Sequence, residues 1–537
     1  MSIDAIIISD YGADTFSGVS SLRLEIEGRI ALIQVVSNFI KNQGRIDSTS
    51  EGDDDSSWSS APKLNGIYLH NYLTINDFDV ELINNYLEEK DKFNRLLKQS
   101  PYAVIISTTF IHSKQFLHKL VDDIRSLAPD IYIIVGGTFI YLSYLMLQRI
   151  HEKNFDTKSA KDDYIFLDNN NEPSVDLYII NLQGEETLCE SLRRIKQDRS
   201  IDDLPNSAYL KGGNYVINKQ IDDFPKTGGI VINWDLLPET IFKSGVVPMQ
   251  ASNGCPYKCA FCNFTKDRQI LFIKSINQIV NELKTLSNHG VRYVRFVDDN
   301  FRLGRHDLNQ FCQKLIEENL QISWMSFIRA SSLKKVDIEL LRRSGCIEVQ
   351  LGLESADPQI LRNMNKKATP ELYAEVVGKS LAAGINCSCC FLFGFPGETE
   401  ESSLRTIEFI KSIEHPQYEG IMTWSIFPFI LAPLSPIYEY ENRKRYGLTG
   451  YMQNWKHNTM DSNKARKEVK KAFLELDNSG PIYNGDNLDM LVDLAPSKRK
   501  KFVAIRHRLS KLAMKHSLKK QDIIQAFSEV FTEKKNI

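Results

Sequence analysis

The chain has 537 residues, of which 42% are hydrophobic and 25% charged, with a formal net charge of −2. That length is too great for a single core and predicts two to four domains. The near-neutral balance supplies no global positive field for nucleic acid. No apolar run is long enough to span a bilayer, and the opening MSIDAIIISDYG lacks the basic start of a signal peptide while already carrying Asp4 and Asp10. A cytoplasmic protein with no nucleic-acid or membrane partner is therefore expected. Nine cysteines are too few for a disulfide scaffold of this size, and nine is odd, so clustered cysteines point to metal or catalysis.

Along the chain, the Ser/Asp-rich stretch 45–63 and the polar stretch 152–174 are predicted to be inserts, the second with a short hairpin at YIFL. Between and after them the pattern alternates strand and helix. DVELINNYLEEKDKFNRLLKQS gives a short strand and an amphipathic helix. YAVIIST and IYIIVGG are continuous apolar runs, each followed by a helical period, and VDLYIINLQGEETLCESLRRI repeats the unit. Such a series predicts a parallel, doubly wound sheet over residues 1–230. Ligands of such sheets sit beyond the strand C-termini, where Ser107, Thr108, Gly136, Gly137, Gly184 and Glu185 fall.

Residues 253–264, NGCPYKCAFCNF, hold Cys255, Cys259 and Cys262 in a C-x3-C-x2-C spacing. Thiolates suit zinc and iron–sulfur clusters. Structural zinc wants four protein ligands, and no fourth Cys or His stands at zinc-ribbon spacing. Three cysteines on a four-iron cubane leave one iron open. Downstream, VRYVRFVDDNF, QISWMSFIRASSL, CIEVQLGLES and INCSCCFLFGFPGETEES read as strands alternating with helices. This is a βα-barrel pattern over 231–440, with Asp298, Asp299, Arg329, Glu354 and Ser355 at strand C-terminal ends, where barrel chemistry sits. In IEVQLGLES, alternation turns Ile347, Val349, Leu351 and Leu353 to one face and Glu348, Gln350, Gly352 and Glu354 to the other. The same rule applied to INCSCCFLFG turns Cys390 into the lumen with Asn386 and Ser388, and Cys387 and Cys389 outward. Residues 441–537 are predicted mostly helical, and basic along 498–520.

Together, the cysteine spacing, Phe261 before the last cysteine and the strand-end set resemble the radical S-adenosylmethionine (SAM) enzymes. The STT, VGG and GEETL turns resemble the cobalamin-binding-type domain found before many of them. The resemblance implies that Cys255, Cys259 and Cys262 bind a [4Fe–4S] cluster whose open iron chelates SAM. It also implies that Phe261, Asp298, Asp299, Arg329 and Glu354 lie near SAM, that a corrin sits at the first domain's turns, and that a donor such as flavodoxin or ferredoxin supplies the electron. The family's D-x-H-x-x-G cobalt-ligating motif is missing; His112 follows STTFI without that context. Two reactions on a peptide or small natural product fit: cobalamin-dependent C-methylation, or peptide epimerisation over a vestigial corrin domain with Cys390 as hydrogen-atom donor.

Overall fold

The computed structural model describes residues 3–12, 22–44, 61–152, 155, 159–168, 172–221, 231–263, 272–303, 308–413, 415, 417–477, 479–483 and 494–531. The chain divides into two compact units, Met1–Thr15 with Pro62–Ile241, and Phe16–Ala61 with Phe242–Ile537. This differs from the three-part division expected at 230 and 440.

In the first unit, the elements are β1 (Ala5–Ile8), α1 (Leu64–Ile75), β2 (Val80–Ile83), α2 (Lys90–Leu97), β3 (Ala103–Ser107), α3 (Lys114–Leu127), β4 (Tyr132–Gly136), α4 (Thr138–Arg149), β5 (Leu177–Ile179), α5 (Glu185–Lys196), β6 (Ser207–Lys211) and β7 (Asn214–Ile217). The sheet order is β2-β1-β3-β4-β5-β6-β7. Its first five strands are parallel, and β6 and β7 add an antiparallel edge hairpin. Every residue of β1 and β3 is buried, as a sheet covered by helices on both faces requires. Helix α3 turns Leu117, Leu120, Val121 and Ile124 inward at helical spacing. The hairpin turns at Gly212 and Gly213, both at positive φ, the conformation a two-residue turn demands.

YIFL is not a hairpin. Tyr164–Leu167 are buried in turns, because Tyr164 stacks on Phe139 and Phe166 meets Tyr178 edge-on; aromatic packing buries the segment without ladder bonds. Residues 45–60 of the expected first insert lie outside the described residues.

In the second unit, the elements are β8 (Val246–Met249), α6 (Ile276–Asn288), β9 (Tyr293–Phe296), α7 (Leu308–Glu317), β10 (Ser323–Phe327), α8 (Ile338–Arg343), β11 (Cys346–Glu354), α9 (Pro370–Ala382), β12 (Asn386–Phe393), α10 (Glu400–Ile413), β13 (Met422–Pro428), α11 (Ser462–Glu475), β14 (Gly480–Pro481), α12 (Pro496–Ala513) and α13 (Lys520–Phe531). All seven strands are parallel and pair in chain order, the last of them only two residues long, where the family resemblance implies a partial barrel of six strands. Helix caps punctuate it: Ser275 and Gln278 form a capping box on α6, and Thr369 caps α9 with Pro370 behind it.

Residues 22–44 belong to this unit. Their helix, Ile33–Lys41, buries Ile33, Val36 and Phe39 in one cluster with Phe502, Val503 and Leu509 of α12 and Phe527 of α13. Arg506 donates to the Ala31 carbonyl at 3.3 Å and lies 3.7 Å over the Tyr483 ring. Part of the basic character of α12 is therefore structural: Arg499 and Arg506 are buried.

Candidate active site

The three cysteines lie in the loop after β8, and that loop is pinned along its length. Gly254 N–H donates to Asp299 at 3.0 Å, the Lys258 carbonyl accepts from Asn365 at 2.7 Å, and Ala260 N–H donates to the Met364 carbonyl at 2.9 Å. Cys262 N–H donates to the Cys259 carbonyl at 3.2 Å, and Ile437 N–H to that of Ala260 at 2.8 Å. Asp298, almost fully buried, accepts from the N–H groups of Ala251 and Ser252 and from the Ser252 hydroxyl. Burial raises its carboxyl to about 6 against those hydrogen bonds. Asp298 thus fixes where the loop departs, and Asp299 fixes its first turn.

Arg329, at the end of β10, is buried at the cysteines. Its guanidinium lies 3.7 Å over Tyr257, donates to the Cys259 sulfur at 3.6 Å and bonds the Lys366 carbonyl. Burial pushes the Cys255 thiol up, and Arg329 opposes it. Among the described residues, no group of three or more His, Cys, Asp or Glu side chains converges on a single ion. Three cysteines on one pinned loop, with a cation against one sulfur, fit the cluster.

Glu354, the last residue of β11, has φ +68, unusual for a non-glycine residue and a mark of local constraint. It pairs with the buried Lys366 at 2.9 Å, and the Lys366 ammonium lies 5.8 Å from the Phe261 ring centroid. Phe261 meets Phe395 edge-on at 6.5 Å. A Cβ on Gly352 would stand 2.7 Å from Glu354 Oε1 and would displace that carboxylate. Ser355, by contrast, is buried against Thr406 and accepts from Asp357 N–H; it shapes the strand end.

The expected alternation shows in burial only toward the strand C-termini, because Ile347 is half-buried and Asn386 and Ser388 are buried. Val349, Leu351, Leu353, Cys387, Cys389, Phe391 and Phe393 are fully buried, while Cys390 is half-buried. Register stacks the inward residues in levels: Arg295, Glu348 and Asn386; then Gln350, Ser388 and Thr423; then Gly352, Cys390 and Ser425. Ser388 donates to Glu348 at 2.8 Å, and Arg295 to Gln350 at 3.2 Å. Burial, then Glu354, pushes the Cys390 thiol up to about 12, with Lys366 and Arg295 opposing. It therefore stays S–H at neutral pH.

In the first unit a cavity of about 140 Å³ opens at the strand C-termini. Ser107, Gly136, Gly137, Gly184 and Glu185 line it, as do Asn65 and Tyr68 of α1, which sequence reasoning missed. Thr108 instead turns away to bond the Gly136 carbonyl at 2.7 Å. Gly137 has φ +101, with Thr108 N 2.9 Å from where a Cβ would stand, and a Cβ on Gly184 would meet Ile179 at 2.2 Å. These glycines are required by close approach. Burial and Glu185 push the Tyr68 phenol far above its usual range.

Residues 249–410 match the model of the Radical SAM superfamily. They are a radical SAM domain. Its cofactors are a [4Fe–4S] cluster and SAM, and the chain is an enzyme. An uncharacterized methyltransferase of Pyrococcus horikoshii is 26% identical over 325 residues, covering 56% of this chain and 67% of that protein. The bacteriochlorophyllide d C-12(1)-methyltransferase of Chlorobaculum tepidum is 31% identical over 196 residues, covering 35% of this chain and 42% of that protein. Among solved structures, the cobalamin-dependent radical enzyme OxsB with aqua-cobalamin and SAM bound matches with a TM-score of 0.58 at 16% identity, covering 98% of this chain and 79% of that one. The radical SAM methyltransferase TsrM of Kitasatospora setae matches with a TM-score of 0.55 at 15% identity, covering 85% and 79%. The two-unit α/β architecture with its helical C-terminal region is the fold these structures have. Among the described residues no helix is long and apolar enough to cross a membrane.

Proposed function

We propose that this radical SAM enzyme uses cobalamin, held by the first unit, to methylate an unactivated carbon of a peptide or small natural product. The observation that carries the reading is the cavity at the strand ends of the first unit, walled by Gly136, Gly137 and Gly184. Its volume is too small for a corrin ring but suits a bicyclic base of a corrin lying across the strand ends. When bound, the cluster with SAM supplies a hydrogen-abstracting radical and the corrin supplies a methyl group.

The chain's own groups position these partners. Cys255, Cys259 and Cys262 would hold the cluster, with the Arg329 guanidinium donating to the Cys259 sulfur. Phe261, Lys366 and Glu354 form one linked wall beside the cysteines, where they would orient SAM, while Asp298 and Asp299 hold the loop. Hydroxocobalamin titration of the folded protein tests the reading. Stoichiometric uptake, with product heavier by one methyl from labelled SAM, is expected; a folded protein that takes up no cobalamin at micromolar concentration overturns it.

One observation favours a second reading, epimerisation: Cys390 stands on the lumen wall as a protonated thiol. There the S–H bond would break and its hydrogen atom join the substrate carbon. The sulfur radical left behind would take an electron from the same flavodoxin- or ferredoxin-type donor, and a proton from solvent.

A further inference from the structure

We propose that the solvent side of the cysteine loop is a docking surface for an acidic flavodoxin-type electron donor; the inference rests on the cluster at Cys255, Cys259 and Cys262 and holds whichever reaction follows. Three segments of the second unit meet at that loop. The Lys258 carbonyl accepts from Asn365 at 2.7 Å, Ala260 N–H donates to Met364, and Ile437 N–H donates to the Ala260 carbonyl. The short helix Tyr440–Tyr446 follows closely on Ile437. A Cβ on Gly397 would meet both Asn363 and the Tyr446 ring, so this helix stands beside the segment that pins the loop. Each segment presents exposed cations: Lys258, between two of the cysteines; Arg362 and Lys367; Lys444 and Arg445. Among the described residues none of these is in an ion pair. The nearby carboxylates in sequence are Glu439, half-buried, and Glu441, exposed. A rim of positive charge thus surrounds the loop in a chain whose formal net charge is −2. Tyr440 is 51% exposed and lies one helical turn before Lys444, an aromatic group among cations, as at the centre of many protein interfaces.

Position separates this surface from the basic stretch of α12. Cys255 and Cys262 are only half-buried, and Pro256 and Lys258 beside them are exposed, so the loop is reached directly from solvent at the C-terminal ends of the strands. Helix α12 stands at the opposite end: Arg499 donates to Asn386, the first residue of β12, and Lys500 to the Tyr418 carbonyl, ahead of β13. A carrier docked there would have the barrel between it and the cysteines. At the cysteine loop, an acidic surface is steered in by charge and held in register by it. The transfer moves one electron and no atom: the donor's reduced flavin is oxidised by one electron and the cluster is reduced by one.

The probe is an acidic flavodoxin, tested against the reconstituted full chain. Fluorescence anisotropy of the oxidised flavin reads binding, and stopped-flow absorbance reads reduction of the cluster by the reduced form. In the wild type both should weaken as salt rises. Lys367→Glu, Lys444→Glu and Arg445→Glu combined should weaken binding and slow reduction by about tenfold or more, while dithionite, which needs no docking, reduces the cluster at the wild-type rate. Arg508→Glu, Lys515→Glu and Lys519→Glu combined, exposed in and just after α12, should change neither. If the first triple variant fails to assemble a cluster, Lys444→Gln and Arg445→Gln made singly answer the question, each weakening binding by about twofold or more. Equal losses in the two triple variants, no loss in either, or single variants that bind as the wild type does overturn the surface. A wild type that flavodoxin neither binds nor reduces, or reduces at a rate indifferent to salt, overturns it as well. A wild type that even dithionite cannot reduce overturns the cluster instead.

Discussion

Glu398 lies in the turn after β12, where it accepts from Gly394 N–H and is fully buried. Burial raises its carboxyl to about 8, against hydrogen bonds from the Gly394 and Phe395 amides. Between the ordinary value of 4.5 and about 8, the folded state keeps a proton that the unfolded state releases. Stability therefore falls as pH rises through that window, by about 1.4 kcal/mol per pH unit, and levels off above it. Glu398→Gln cannot titrate, yet its carbonyl can still accept from Gly394. The variant should match the wild type near pH 5 and become more stable by about 3 kcal/mol near pH 7.5. One kcal/mol moves the melting temperature by roughly 2–4 °C in a domain of 150–250 residues and by less in a larger one, so the two melting curves should separate by several degrees. Tryptophan fluorescence reads the transition, because Trp324, Trp424 and Trp455 are buried in the second unit. Melting temperatures that run parallel with pH in the two proteins would refute the reasoning. The turn matters to the site because Phe395, held beside Gly394, packs on both Phe261 and Phe429.

The other expectations concern the cofactor sites and the lumen. Anaerobic reconstitution should give about four irons per chain, and the triple Cys255, Cys259, Cys262→Ala variant should lose them with SAM cleavage; 5′-deoxyadenosine from that variant sinks the assignment. Gly137→Ala forces a side chain into positive φ beside Thr108, so it should destabilise the first unit by about 1–3 kcal/mol and weaken hydroxocobalamin uptake, read by unfolding and titration. A variant as stable as wild type contradicts the close approach. Cys390→Ala should keep most methylation; a product of unchanged mass that gains one deuterium in heavy water, and is lost in this variant, would put epimerisation first.

The strand–helix order was legible where a strand is a continuous apolar run, as in β3 and β4, or alternates apolar and polar residues, as in β11. Alternation alone sorted Cys390 from Cys387 and Cys389, since side chains along β12 take opposite faces whatever surrounds them. Other features depended on contacts distant in sequence. The burial of Ser355 is set by Thr406, some fifty residues later, and the inward turn of Thr108 is set by the Gly136 carbonyl. Lys366 stands in no strand-end motif and reaches Glu354 only through the fold. The grouping of 22–44 with α12 and α13 had no local signal, because an amphipathic helix does not say which apolar surface covers it.

That last grouping has a consequence for synthesis. The polypeptide passes between the two compact units three times, near 15, 61 and 241, so no single cut separates them. Phe39 and its neighbours need α12 and α13 for cover, and about 450 residues intervene. At roughly 5–20 residues per second, a ribosome takes about 20 to 90 seconds to deliver those helices. During that interval a hydrophobic helix waits uncovered while β1, made just before it, already has a sheet to join. Yield in the cell should therefore depend on what shields residues 22–44 while the rest of the chain is made.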